Sequence, residues 1–111
     1  MNETKIQREI TNYLLTQGWL VLRLNSLRAG RLTSYIVYPK AITTGMPDLL
    51  AIKASTCLWI EVKATNGRTS TAQRNAHTLL TFFNIPHLTA RSVEDVKEHI
   101  YANKFHSPRS N

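Results

Sequence analysis

The apolar positions of the chain fall into segments of distinct period. Ile6, Ile10, Tyr13, Leu14 and Gln17 recur at helical spacing and Gly18 follows as a stop, predicting an amphipathic helix over roughly residues 3–17. Residues 19–24 form a short apolar run of strand length, and 25–31 are polar and basic, as in a loop. The YIVY run at 35–38 is β-rich and ends at Pro39, which suggests a short strand or an edge piece. A turn over 43–47 leads into two strands, 49–52 and 58–62, around a break at 53–57. After a loop at 66–69, Ser70 can cap a helix to about residue 84, with Ala76, Leu79, Leu80 and Phe83 on its inner face. Pro86 precedes a strand at 87–91, and Ser92 opens a last helix through Val93, Val96 and Ile100. Helix, strands, helix, strand, helix is the order of an α/β domain with helices packed on a small mixed sheet.

Length and composition narrow the function classes. At 111 residues and 12.6 kDa the chain has room for one domain, expected over 1–105, with a flexible polar tail at 106–111. A single cysteine excludes an internal disulfide framework, and with four scattered histidines it argues against structural zinc. No apolar run approaches the ~18 residues of a membrane span, and the N-terminus lacks the apolar core of a signal peptide. A cytoplasmic domain with no membrane partner is expected. Fourteen Lys and Arg against seven Asp and Glu give a net charge of +7, which favours a polyanion such as nucleic acid as partner. The basic balance could also serve solubility alone. In so basic a chain each carboxylate calls for a reason.

Two of the acids come together on a simple register argument. If Ala54 and Ser55 form the turn between the paired strands, Asp48 and Glu61 are equidistant from it and lie opposite each other, with Cβ atoms about 5 Å apart. The strand's period of two sends Lys63 to the same face as Glu61, while Leu58, Ile60 and Val62 take the other face. Paired carboxylates repel unless a proton or cation lies between them, and oxygen ligands with room for water suit Mg²⁺ or Mn²⁺. The ordinary alternative is an exposed Glu61–Lys63 salt bridge with Asp48 capping a turn.

Three motifs add to this pattern. Gly45-Met46-Pro47-Asp48-Leu49-Leu50, then Trp59-Ile60-Glu61-Val62-Lys63, then Gly67-Arg68-Thr69-Ser70-Thr71-Ala72-Gln73 resemble the VRR-NUC (virus-type replication-repair nuclease) branch of the PD-(D/E)XK nucleases. That family shows G-x-P-D-L, a hydrophobic strand with E-V-K, and G-R-x-S-x-x-Q opening a helix. The resemblance extends over nearly the whole chain. It implies a restriction-endonuclease-like PD-(D/E)XK core and divalent-metal phosphodiester hydrolysis. Asp48 and Glu61 would ligate Mg²⁺ or Mn²⁺, the Val62 backbone carbonyl would add an oxygen, Lys63 would be the catalytic lysine, and Gln73 would complete the site. Ser70-x-x-Gln73 is also a capping box, so Gln73 has a structural reason to be there.

The family also places a glutamate on the first helix. Glu3 shares the meridian of Ile10 and Leu14, whereas Glu9 sits at the border beside Tyr13, and E-x-x-I-Q from Glu3 to Gln7 resembles the family's helix start. Glu3 is therefore the expected site residue; a frayed first turn favoured by the helix dipole would explain it equally simply. His77, one turn beyond Gln73, could approach a phosphate, although a satisfied or exposed histidine is the ordinary expectation. Cys57 is expected to pack, and Trp59 to line the cleft beside Glu61 or join the core.

Arg28, Arg31, Lys40, Arg68 and Arg74 are the candidates for backbone phosphate contacts. Stand-alone relatives resemble virus-type homodimers similar to Holliday-junction resolvases, which implies a homodimer acting on branched or four-way junction DNA in a bacterial or phage-infected cell. The 35–38 run is apolar enough for a dimer contact. The expectation is thus a structure-selective, metal-dependent endodeoxyribonuclease without a nucleotide cofactor. Its alternatives are a nickase or flap nuclease, a non-catalytic nucleic-acid-binding module of the same fold, and a basic regulatory or assembly protein.

Overall fold

Helix α1 (Glu3–Thr16) begins where the Asn2 side chain accepts the Lys5 N–H at 2.8 Å, and it ends in a Schellman motif. There the Gly18 N–H reaches the Leu15 carbonyl and the Trp19 N–H reaches Leu14. Gly18 adopts φ +88°, a conformation that a Cβ would oppose. The computed structural model describes residues 2–24 and 45–103. The strand expected at 35–38, with its dimer contact, and the tail at 106–111 lie outside the described residues.

Next come strands β1 (Leu20–Arg23), β2 (Leu49–Lys53) and β3 (Thr56–Val62), then α2 (Thr71–Phe82), β4 (His87–Ala90) and α3 (Val93–Ala102). The strands form one four-stranded mixed sheet in the order β1-β2-β3-β4. The first three are antiparallel, and β4 runs parallel to β3. A parallel neighbour requires a crossover, which α2 supplies. The chain is therefore a small α/β domain whose sheet is flanked by helices.

The β2–β3 hairpin turns on Ala54 and Ser55, both at positive φ, and pairs Leu49 with Ile60 through Lys53 with Thr56. This is the register set by a two-residue turn, and the strands run closer to the turn than the expected 53–57 break. Alternation sends Leu58, Ile60 and Val62 inward, where they meet Ile6, Ile10 and Leu14 of α1, Ala90 of β4, and Val96 and Ile100 of α3. Glu61, Trp59 and Cys57 take the opposite face, on the side of α2.

Two packing expectations need correction. On α2 only Ala76 and Leu80 are fully buried. Phe83 is 53% exposed because it is the C-cap, past the last turn that could hold it against the sheet. The helix ends in a second Schellman motif, with Ile85 N–H on the Leu80 carbonyl and Asn84 at φ 58°. Cys57, expected to pack, is exposed beside the hairpin turn.

Candidate functional site

The hairpin's open end is built around Asp48, the residue just before β2. Its carbonyl accepts the Leu24 N–H at 2.7 Å, carrying the β1–β2 ladder one step further. Its Oδ2 accepts the Val62 N–H, also at 2.7 Å. A side chain thus substitutes for the next rung of the β2–β3 ladder, and the carboxylate ends on the peptide that joins Glu61 to Val62. Asp48 is 7% exposed and Glu61 2%. The alternative of an exposed Glu61–Lys63 salt bridge does not fit, because both residues are buried, and the Asp48 side chain accepts a strand N–H.

Gln73 ties this end of the sheet to α2. Its backbone N–H donates to Ser70 Oγ at 3.1 Å and its Oε1 accepts the Ser70 N–H at 2.9 Å, closing a capping box. The other end of the same carboxamide, Nε2, donates to Glu61 Oε2. One side chain therefore fixes the helix start and orients a buried acid. Gly45 explains how α2 comes so near. A Cβ there would lie 2.8 Å from Gln73 N and closer still to the Ala72 carbonyl, so only glycine lets the segment before β2 approach the helix start.

Lys63 follows β3, and its N–H continues the parallel ladder onto the Ala90 carbonyl at 3.0 Å. It is 8% exposed, and its stem passes under Gly67. The turn above it is held by Arg91, whose Nη1 donates to the Ala64 carbonyl at 2.8 Å and the Gly67 carbonyl at 2.7 Å. Asp95 Oδ2 in turn accepts the Arg91 N–H at 2.8 Å. This clamp was not visible in the sequence, because its acceptors are backbone carbonyls that leave no side-chain pattern.

Asp48, Glu61 and Gln73 thus come together at the Glu61–Val62 peptide, and Lys63 is buried two residues past Glu61. The other expected site residues do not join them. Glu3 is exposed in the first turn of α1, and among the described residues no hydrogen bond or ion pair ties it to the cluster. It shares the meridian of Ile10, but the first turn overhangs the core. Glu9, the other candidate, is half-buried on α1. Arg74 is engaged locally, with Nη1 on the Thr69 carbonyl at 2.9 Å and Nη2 near Thr71 Oγ1, and Arg68 is exposed. Arg28, Arg31 and Lys40 lie outside the described residues. Trp59 is half-buried between Leu50 and His87 on the Glu61 face and stays out of the central core.

Histidines occupy the flank beyond Gln73. The His77 ring stacks on His87, with centroids 5.3 Å apart, and His87 Nε2 pairs with Thr81 Oγ1 at 2.9 Å. Burial, then His87, then the Lys63 charge hold the His77 pKa below the usual imidazole value. His87 is lowered by burial, and His99 by burial and then by His87.

The donor set suits a hard divalent cation. Asp48 and Glu61 each have one oxygen held by a neutral donor, which orients the carboxylate without discharging it. Among the described residues fewer than three ligating His, Cys, Asp or Glu side chains gather at any point. Magnesium commonly takes one or two carboxylates and keeps several waters, which these oxygens allow. No helix among the described residues is long and apolar enough to cross a membrane. Comparison of the chain with protein-family models, with curated proteins and with solved structures gave no match.

Proposed function

We propose that the chain is a metal-dependent, structure-selective DNA endonuclease of the VRR-NUC type, with a PD-(D/E)XK core, acting as a homodimer on branched or four-way junction DNA. The observation that carries this reading is the joining of three separated motifs at one point. The Asp48 carboxylate is fixed on the Glu61–Val62 peptide, Glu61 is held by Gln73, and Lys63 is buried two residues past Glu61. A small mixed sheet flanked by helices also agrees with the expected core.

In this reading Asp48, Glu61 and the Val62 carbonyl hold Mg²⁺ or Mn²⁺. When bound, the metal polarises a phosphoryl oxygen and lowers the pKa of a coordinated water. Gln73 keeps the Glu61 carboxylate in a single orientation, and the Asp48–Val62 bond does the same for Asp48. The Lys63 ammonium stabilises the charge that builds on the phosphoryl oxygens. A water oxygen forms the new bond to phosphorus, one ester P–O bond breaks, and the leaving oxygen takes up a proton. Net positive charge on the chain supports attraction to DNA.

The test is a panel of four-way junction, flap, linear duplex and single strand, each incubated with purified protein in Mg²⁺, Mn²⁺ or EDTA. Symmetric, metal-dependent junction cleavage is expected. Cleavage of a different substrate would retain the chemistry and discard the junction preference. Binding without cleavage in either metal would favour the non-catalytic binding module.

A further inference from the structure

We infer that the groove between α1 and the end of β1 is a docking track for the sugar-phosphate backbone of DNA, with Arg8 and Arg23 as its phosphate-binding cations. The groove holds about 320 Å³ and is lined by Thr4, Gln7, Arg8, Thr11, Asn12 and Arg23. Two of these six carry positive charge, the other four are neutral hydrogen-bonding side chains, and none is a carboxylate or an aromatic ring. A concave surface lined by one sign of charge concentrates its field, which flat ground does not. Arginine, threonine, asparagine and glutamine all bind phosphate oxygens, whereas holding unpaired bases needs aromatic faces. The volume lies at the small end of ligand clefts, about 300–1,000 Å³, so it suits a short stretch of backbone.

The fold sets this groove beside the proposed site. Thr4, Gln7, Arg8 and Thr11 follow helical spacing and form a polar stripe beside the buried Ile6, Ile10 and Leu14. The tight reversal after α1, where the Trp19 N–H reaches the Leu14 carbonyl, sends β1 back along the helix. Its last residue, Arg23, therefore lies beside the first turns of α1. Arg23 pairs with Leu49, whose side chain belongs to the core that α1 covers, so both project to the α1 side of the sheet. The next residue, Leu24, donates its N–H to the Asp48 carbonyl, which puts the groove at the sheet end that carries Asp48. Neighbouring strands lie about 4.8 Å apart, so β1 stands about 10 Å from β3 and Glu61, roughly three nucleotides of duplex rise. A backbone held in the groove thus reaches the acid pair over the end of the sheet.

This inference rests on the nuclease reading for its ligand, and its test is separable from cleavage. The affinity of the full chain for a four-way junction is measured in Ca²⁺ over a series of salt concentrations. Arg8→Gln and Arg23→Gln are each expected to flatten the slope of log affinity against log salt by about 0.9, the contribution of one phosphate contact, and equally on junctions of different sequence. Arg8→Lys and Arg23→Lys keep the charge and should keep the slope. Lys97→Gln is the control: it removes a charge that lies over the Tyr13 ring, on the flank of α1 opposite Thr4, and should leave the slope as in the parent. An unchanged slope in either Arg→Gln variant, or the same loss from Lys97→Gln, would overturn the inference, and a parent that still cuts would keep the nuclease reading. Flattened slopes in a protein that binds the junction and never cuts it would support the track and reject the nuclease. A parent that binds no DNA would overturn both.

Discussion

Gly45→Ala separates the architecture of the site from its chemistry. The new Cβ would stand 2.8 Å from Gln73 N, with the Ala72 carbonyl nearer still. Ordinary contact needs at least about 3.4 Å, so the start of α2 must retreat by roughly half an ångström at Gln73 and further at Ala72. The obstacles are backbone atoms, so no side chain can swing aside. Overpacking of this kind costs about 1–3 kcal/mol, and the rigid obstacles put this position at the upper end. In a domain of this size that lowers the melting temperature by roughly 10 °C or more. The same retreat draws Gln73 Nε2 away from Glu61, so Gly45→Ala and Gln73→Ala should be strongly non-additive in a double-mutant cycle. The assay is thermal and urea unfolding of the parent, both single variants and the double variant. A Gly45→Ala protein that melts within about 2 °C of the parent would refute the close approach of the Gly45 backbone to α2.

Arg91→Ala should destabilise the fold by about 2 kcal/mol and speed amide exchange at Gly67, whose N–H bonds the Ala64 carbonyl under the clamp; unchanged exchange there would remove the clamp from the account. Arg91→Lys should recover part of the loss. The three histidines with lowered pKa values give the stability a defined pH dependence. Below the ordinary imidazole pKa of about 6.5 the unfolded chain takes up protons that the folded chain refuses, so stability present at neutral pH is lost as pH falls. Urea midpoints at pH 7.5 and 5.5 should differ in that direction, and His87→Asn should reduce the difference. Equal slopes in parent and variant would count against His87 as a source.

The hairpin was legible from the sequence because a two-residue turn at Ala54–Ser55 fixes every later pair, and the pairing of Leu49 with Ile60 follows from it. Asp48 and Glu61 could be placed together for the same reason, and Gln73 could be given both a capping and a site role from local spacing alone. Less could be read where distant backbone decides the outcome. Gly45 matters because of the Ala72 carbonyl, and Arg91 because of carbonyls in a turn 24 to 27 residues earlier. A helical wheel gives Glu3 its angle but not its depth, and the first turn of α1 extends past the core that buries Ile6. The wheel misplaces Phe83 likewise, since the helix stops at Phe82 and the cap residue leaves the packed face.

The central claim is that the buried Asp48–Glu61 pair is chemical rather than structural. Asp48→Asn tests it directly, because an Asn carbonyl can still accept the Val62 N–H that Oδ2 now holds. The measurement is single-turnover cleavage of a four-way junction in Mg²⁺, beside melting temperature and junction affinity measured in Ca²⁺. The account predicts a variant that melts close to the parent, binds the junction, and cuts at least about 10³-fold more slowly. A folded Asp48→Asn protein that cuts at the parental rate would contradict it.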